Sequence, residues 1–150
     1  MKLWLVFVAG AVLCWGAYVP FIHEGQVQLN RGALRAFLCV GIAYFLTAVM
    51  VPLGLLGAKM EPWEFNRTGV TYAIIAGVLG AGGALCVILA LKSGGTPLYV
   101  APLVFAGAPI VNVLVSMIWH KPTKAPEPWF YVGILLAAAG ASLVLRFKPS

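Results

Sequence analysis

Five long apolar segments dominate this chain, and each has about the length that a helix needs to cross a lipid bilayer. A transmembrane helix requires about 20 predominantly apolar residues. The chain has 150 residues, of which 62% are hydrophobic and 9% are charged. A soluble domain of this size could not bury so much apolar surface, so we predict an all-α integral membrane protein, a five-transmembrane-helix bundle. The predicted spans are Leu3–Ile22, Ala36–Gly57, Val70–Leu91, Leu98–Trp119 and Trp129–Leu145.

The basic residues are divided evenly between the two faces that these spans define. An excess of lysine and arginine on one side normally fixes the orientation of a membrane protein. Without that excess, a chain can insert both ways up, so we predict that two copies pair in antiparallel fashion. One face carries Lys2, Lys59, Arg67, Lys121 and Lys124, and the other carries Arg31, Arg35, Lys92, Arg146 and Lys148.

The net charge of +6 does not indicate a nucleic-acid partner. The basic residues stand mostly singly at span ends, where they can meet lipid head groups, and no basic patch is interleaved with aromatic residues. The expected partner is therefore the lipid bilayer. The sequence contains no nucleophile paired with a base, no phosphate-binding glycine loop and no metal-ligand cluster, so we expect neither an enzyme nor a bound cofactor or metal.

Aromatic and amide residues in three spans are candidates for a substrate cavity. Trp15 and Tyr18 share one face of span one, Tyr44 and Thr47 lie in span two, and Asn112 lies in span four. Together they would line a weakly polar cavity for an uncharged, amphipathic or cationic metabolite. Alternatively, these polar groups bond between helices for about 1 kcal/mol each. That alternative stays open for Trp15, Tyr18 and Asn112, and it is the preferred interpretation of Tyr44 and Thr47.

No span centre contains an ionisable residue, so the sequence provides no proton switch in the membrane. A charge there costs at least ~3 kcal/mol and is kept only for function. His23 and Glu24 come directly after span one, where Pro20 is expected to end or kink the helix. Because histidine changes charge near neutral pH, this pair is a possible gate. The alternative is an ordinary solvated loop.

Small residues predict how the helices pack. Glycines in spans three and five should allow close helix–helix contact, and Cys14, Cys39 and Cys86 are expected to be buried as small hydrophobic residues. Loop two, residues 58–69, mixes charged and aromatic side chains and suggests an interfacial turn, with or without a short helix lying on the membrane. The glycines concerned are Gly77, Gly80, Gly82, Gly83, Gly133 and Gly140.

Several of these features together resemble the EamA-like repeat of the drug/metabolite transporter superfamily. They are the pair Trp15-Gly16, the short link from Ala90 to Pro97, the proline-bearing span from Val100-Ala101-Pro102 to Pro109, and a last helix over residues 132–140. The resemblance covers nearly all of residues 1–150 as one transmembrane domain. It implies one inverted-type repeat of a ten-helix transporter, because family members typically carry two such repeats.

The chain departs from its apparent relatives at two places. The region from Ala9 to Trp15 is uncharged, whereas four-span multidrug relatives carry a carboxylate there, and His120-Lys121 replaces a Gly-Glu pair of the family. The first departure argues against proton-coupled cation export, and the second removes any role of the acid in that pair.

The resemblance implies a small-molecule carrier in a cell (inner) membrane, acting as an antiparallel dual-topology homodimer or as a heterodimer with a paralogue. Two tandem five-helix repeats are inverted relative to each other and build a site at the midplane, and a single repeat can recreate that site only with an inverted partner. The alternatives are a non-transporting subunit of a larger membrane complex, and a subunit of a flippase for lipids or lipid-linked sugars.

Overall fold

The computed structural model describes residues 2–119 and 122–148, and these residues form helices joined by turns and short loops. Five helical segments are long and apolar enough to cross a membrane, which confirms their predicted number. The second segment comprises α2, a π-helical turn and α3. His120 and Lys121, named above in loop four, lie outside the described residues. The elements are α1 (Leu3–Gln28), α2 (Ala33–Phe45), the π-helical turn (Leu46–Met50), α3 (Val51–Gly57), α4 (Arg67–Lys92), α5 (Pro97–Trp119) and α6 (Pro128–Arg146).

Helix α1 continues six residues beyond the predicted end of span one, so the expectation of a loop at His23 is wrong. Pro20 lies inside the helix and does not end it. The added turns are held by local bonds, since Gln28 Nε2 donates to Glu24 Oε1 at 2.7 Å. Such i,i+4 pairs stabilise a helix surface. At about 1.5 Å per residue, α1 is about 39 Å long and exceeds the thickness of a bilayer core.

The end of α1 is fixed by a turn at Asn30-Arg31-Gly32. Asn30 and Arg31 adopt left-handed backbone conformations, with φ of 51° and 56°. The Arg31 amide donates to the Gln26 carbonyl at 2.7 Å, and the Asn30 amide donates to the Val27 carbonyl at 3.1 Å. These bonds satisfy carbonyls that the helix end would otherwise leave unpaired.

Span two is interrupted by a π-helical turn immediately before its proline. Pro52 has no amide hydrogen and its ring crowds the preceding turn. The wider turn Leu46–Met50 precedes it, which relieves that crowding and keeps the span helical from Ala33 to Gly57.

The loop between α3 and α4 begins with a turn at Ala58 and Lys59, as expected, and it contains no short helix. Lys59 ends the preceding helix with φ of 58°, and Pro62 cannot donate a helical hydrogen bond. Trp63 and Phe65 stack edge to face, with centroids 5.8 Å apart. Helix α4 then begins at a capping residue, Asn66, whose Oδ1 accepts from the Gly69 amide at 2.7 Å.

The chain divides into two compact units. The first contains residues 2–19 and the described part of 95–148, and its centre is the contact of α5 with α6. Lys148 Nζ lies 4.8 Å from the centroid of the Tyr99 ring, so the end of α6 lies beside the start of α5. On each helix one row of half-buried residues recurs every three or four positions, as packed helices require. The rows include Ala106, Ile110, Val113 and Met117 on α5 and Ile134, Ala137, Ala138, Ala141 and Val144 on α6.

The second unit, residues 20–94, is organised around the contact of α2 with α4. Ala33 and Ala36 lie one turn apart on α2 and are buried. Their small side chains allow the two backbones to approach closely. The buried residues of α4 are Ala84, Val87, Ile88 and Leu91.

Two packing expectations are not met by contacts within the described chain. A Cβ atom built on any of the α4 or α6 glycines at 77, 80, 82, 83, 133 or 140 would meet no described atom within 4 Å. Alanines and larger apolar residues make the helix contacts of both units instead. Cys14, Cys39 and Cys86 are all exposed, free thiols. Burial inside the chain is not required of a small apolar residue if lipid covers it.

Candidate functional site

Three aromatic side chains form a cluster between α1 and α5 in the first unit. The rings of Trp15 and Tyr18 have centroids 5.6 Å apart and are tilted by 59°. The Trp15 ring also meets Phe105 edge to face, at 6.2 Å. The Tyr18 hydroxyl is shielded from solvent, whereas 43% of Trp15 and 37% of Phe105 remain accessible. The cluster therefore presents ring surface to a potential ligand.

The face of α5 that carries Phe105 also carries Asn112. Seven residues separate them, which is about two helical turns or about 10 Å, and Pro109 lies between them on the same side. Asn112 is exposed, and its amide has no hydrogen-bond partner among residues 2–119 and 122–148. We call Phe105, Pro109 and Asn112 the α5 polar-aromatic face.

Two prolines free main-chain carbonyls close to the aromatic cluster. Pro20 cannot donate to the carbonyl of Gly16, and Pro109 cannot donate to that of Phe105, because proline has no amide hydrogen. Both prolines lie inside continuous helices. The carbonyls of Gly16 and Phe105 therefore lack the amide donor that the residue four positions later normally supplies. Both carbonyls belong to residues at or next to the aromatic cluster. This arrangement combines ring faces, hydrogen-bond acceptors and one amide, and it contains no formal charge.

Tyr44 and Thr47 lie in the second unit, at the end of α2 and in the π-helical turn, and both are exposed. The Thr47 hydroxyl donates to the Ala43 carbonyl of its own span at 2.9 Å. Thr71 and Ser142 bond in the same way to Arg67 and Ala138. Hydroxyls bonded to their own helix can face lipid without an unpaired hydrogen.

His23 and Glu24 occupy neighbouring positions of α1, so their side chains diverge by about 100° around the helix. His23 is half-buried and Glu24 is exposed. Glu24 accepts the hydrogen bond from Gln28 described above. The two side chains therefore do not meet at one shared site on α1. Their role as a gate stays a prediction.

Gln26 and Phe105 are structurally important residues that the sequence reasoning missed. Gln26 is 4% exposed, and its Nε2 donates to the Ile88 carbonyl of α4 at 2.9 Å. Its Oε1 has no partner among the described residues. Because the residues after Ile22 are polar, the sequence analysis ended the first span before Gln26. Phe105 could have been selected by its position, seven residues before Asn112, but its contact with Trp15 could not.

The part of the chain that the structure describes contains no group of three or more His, Cys, Asp or Glu side chains that could hold a metal ion. No protein-family model, curated protein or solved structure matches the chain.

Proposed function

We propose that this chain is a small-molecule carrier of a cell membrane, built as a single EamA-like repeat and acting as an antiparallel homodimer. The observation that carries the proposal is the α5 polar-aromatic face, where the Asn112 amide has no partner among the described residues and lies on a helix whose other side chains with an amide or hydroxyl group are those of Tyr99 and Ser116. An amide left unpaired in hydrocarbon costs several kcal/mol. That cost is avoided if the face meets a second copy, a substrate or both.

The chemistry of this face favours an uncharged or cationic amphipathic substrate. Trp15 and Phe105 offer ring faces that attract cations and apolar bodies. The freed carbonyls of Gly16 and Phe105 can accept hydrogen bonds from ligand donors. No basic side chain stands on the face to attract an anion. The substrate would bind where the faces of two inverted copies meet, near the bilayer midplane.

A non-transporting subunit is the second candidate, and the open glycines of α4 favour it. Gly77, Gly80 and Gly83 recur at spacings of three, and their Cα positions are open. Such a surface suits close docking against a helix of another protein. The lack of an ionisable group at any span centre supports the same alternative.

The carrier proposal is tested with the purified protein in lipid nanodiscs. Binding of two probes, the aromatic cation tetraphenylphosphonium and the neutral amide benzamide, is measured by calorimetry. Uptake of the probe that binds is then measured in proteoliposomes. We expect Trp15→Ala to weaken binding by about threefold to thirtyfold, the range of one cation–π contact, and Asn112→Ala to reduce uptake.

The matched control is Trp4→Ala, which removes another exposed tryptophan from the same helix outside the aromatic cluster. Binding and uptake should be unchanged in this variant. If neither probe binds, or if Trp4→Ala is as harmful as Trp15→Ala, the proposed site is wrong. Isolation of the native protein in a fixed ratio with a different membrane protein would favour the subunit instead.

A further inference from the structure

A groove lies at the end of α3, away from the residues assigned to transport. Its volume is about 300 Å³, which is at the lower end of ligand-binding cavities. Pro52, Leu55 and Leu56 share one side of the helix and form one wall. The chain reverses at Lys59, and the Met60 amide donates to the Leu55 carbonyl at 3.2 Å. We call it the α3 groove, lined by Pro52, Leu55, Leu56, Met60 and Glu61.

The α3 groove is apolar along its length and acidic at one end. Glu61 is the charged residue in its lining. The carboxylate is exposed and forms no ion pair with any residue in the described ranges. Lys59 stands two positions earlier in the sequence and is also exposed. The polar end of the groove therefore carries the Glu61 carboxylate, and the Lys59 ammonium belongs to a residue two positions earlier in the sequence.

The position of the groove favours a lipid over a soluble ligand. Its apolar wall is the last part of a segment long and apolar enough to cross a membrane. Trp63 and Phe65 stack directly after Glu61, and aromatic residues of this kind accumulate at the level of lipid head groups. The apolar wall would then face acyl chains while the carboxylate lies among the head groups.

We propose that the α3 groove binds a phospholipid whose head group carries a primary amine, such as phosphatidylethanolamine. An acyl chain would lie against Pro52, Leu55, Leu56 and Met60, and the ammonium would donate to Glu61. Charge-assisted bonds of this type are stronger than neutral ones. Phosphatidylcholine has no N–H to donate, and phosphatidylglycerol presents only negative charge. This inference goes beyond the proposed carrier function, since it requires membrane insertion but not transport.

The test is native mass spectrometry of the purified protein, released from membranes of equimolar phosphatidylethanolamine, phosphatidylcholine and phosphatidylglycerol. We expect phosphatidylethanolamine to be retained in preference to the other two. Glu61→Gln should reduce that preference by about threefold to tenfold. Glu64→Gln is the matched control, because it removes an exposed carboxylate of the same loop outside the groove lining, and it should retain the preference.

Equal retention of the three lipids would overturn the proposal, and so would an equal loss in the Glu61→Gln and Glu64→Gln variants. If no lipid is retained because a second copy occupies the groove, the proposal also fails. A thermal unfolding curve for each variant, expected to match that of the original chain, excludes misfolding as the cause of lost lipid. None of these outcomes depends on whether the protein transports either probe.

Discussion

Gln26 places an uncharged amide where the other buried side chains of the described structure are apolar. Its amide nitrogen faces a carbonyl of α4, so it must donate, and its oxygen remains unpaired. The hydrogen bond is worth about 0.6 kcal/mol on average in a membrane protein, whereas a buried unpaired acceptor costs about 1–3 kcal/mol. The cost exceeds the gain by up to about 2 kcal/mol, so Gln26 is not expected to stabilise the fold.

We therefore predict opposite consequences for two substitutions at Gln26. Gln26→Met removes both the bond and the unpaired oxygen, and it should raise the free energy of unfolding, by up to about 2 kcal/mol. Gln26→Glu puts a carboxylate against the Ile88 carbonyl and should lower stability by about 3 kcal/mol or more at neutral pH. Thermal unfolding in one detergent compares them. A loss of stability in the methionine variant would contradict the prediction and show that the amide is a dominant interhelical contact.

At the scale of the helix, α4 provides a matched pair of positions one turn apart. Gly80 has open space around its Cα, whereas Ala84 is buried in the α2–α4 contact. Gly80→Ala should raise the free energy of unfolding by about 0.5–1 kcal/mol, because alanine restricts the unfolded chain and favours helix. Ala84→Leu should lower it by about 1–3 kcal/mol through overpacking. Chemical unfolding in detergent measures both, and a destabilising Gly80→Ala would mean that the glycine is already packed against another surface.

The helices were predictable because apolar length is a local property, whereas their ends and contacts were not. The starts of α5 and α6 differ from the predicted spans by one residue, since prolines stand beside both. The end of α1 was missed because the Gln26 bond and the turn at Asn30 stabilise a polar segment that periodicity alone assigns to a loop. The π-helical turn depends on hydrogen-bond register, which the pattern around Pro52 does not specify.

In the candidate site, too, contacts within one helix were predictable and contacts between helices were not. Trp15 and Tyr18 were identified from their spacing on one helix, and their ring contact is observed. Phe105 joins them only because α5 lies beside that face of α1, and pairing of distant segments cannot be read from a single sequence. The cysteines and the α4 glycines were misplaced for a related reason: a pattern of small residues shows that close approach is possible but does not specify which helix approaches.

At the scale of the whole molecule, the even division of basic residues carries the antiparallel hypothesis. If all five candidate spans cross a membrane, the two ends of the chain lie on opposite sides of it, and no excess of lysine or arginine selects which side receives residue 150. We predict that a C-terminal tag on the unmodified chain is accessible to protease in comparable fractions of molecules from either side of sealed membrane vesicles. A single orientation for all molecules would exclude the homodimer, although not pairing with an oppositely oriented paralogue.

Charge variants provide a sharper test of the same hypothesis. Ser93→Lys with Thr96→Lys adds two positive charges to one face, and Thr123→Lys with Ala125→Lys adds two to the opposite face. Each double variant should adopt a single orientation, because charges in short loops near span ends dominate topology. The two double variants should adopt opposite orientations. Each variant alone should then lose uptake of the bound probe, while co-expression of the two should restore it, because only the mixture contains inverted partners. Full uptake by either variant alone would show that one orientation suffices for transport.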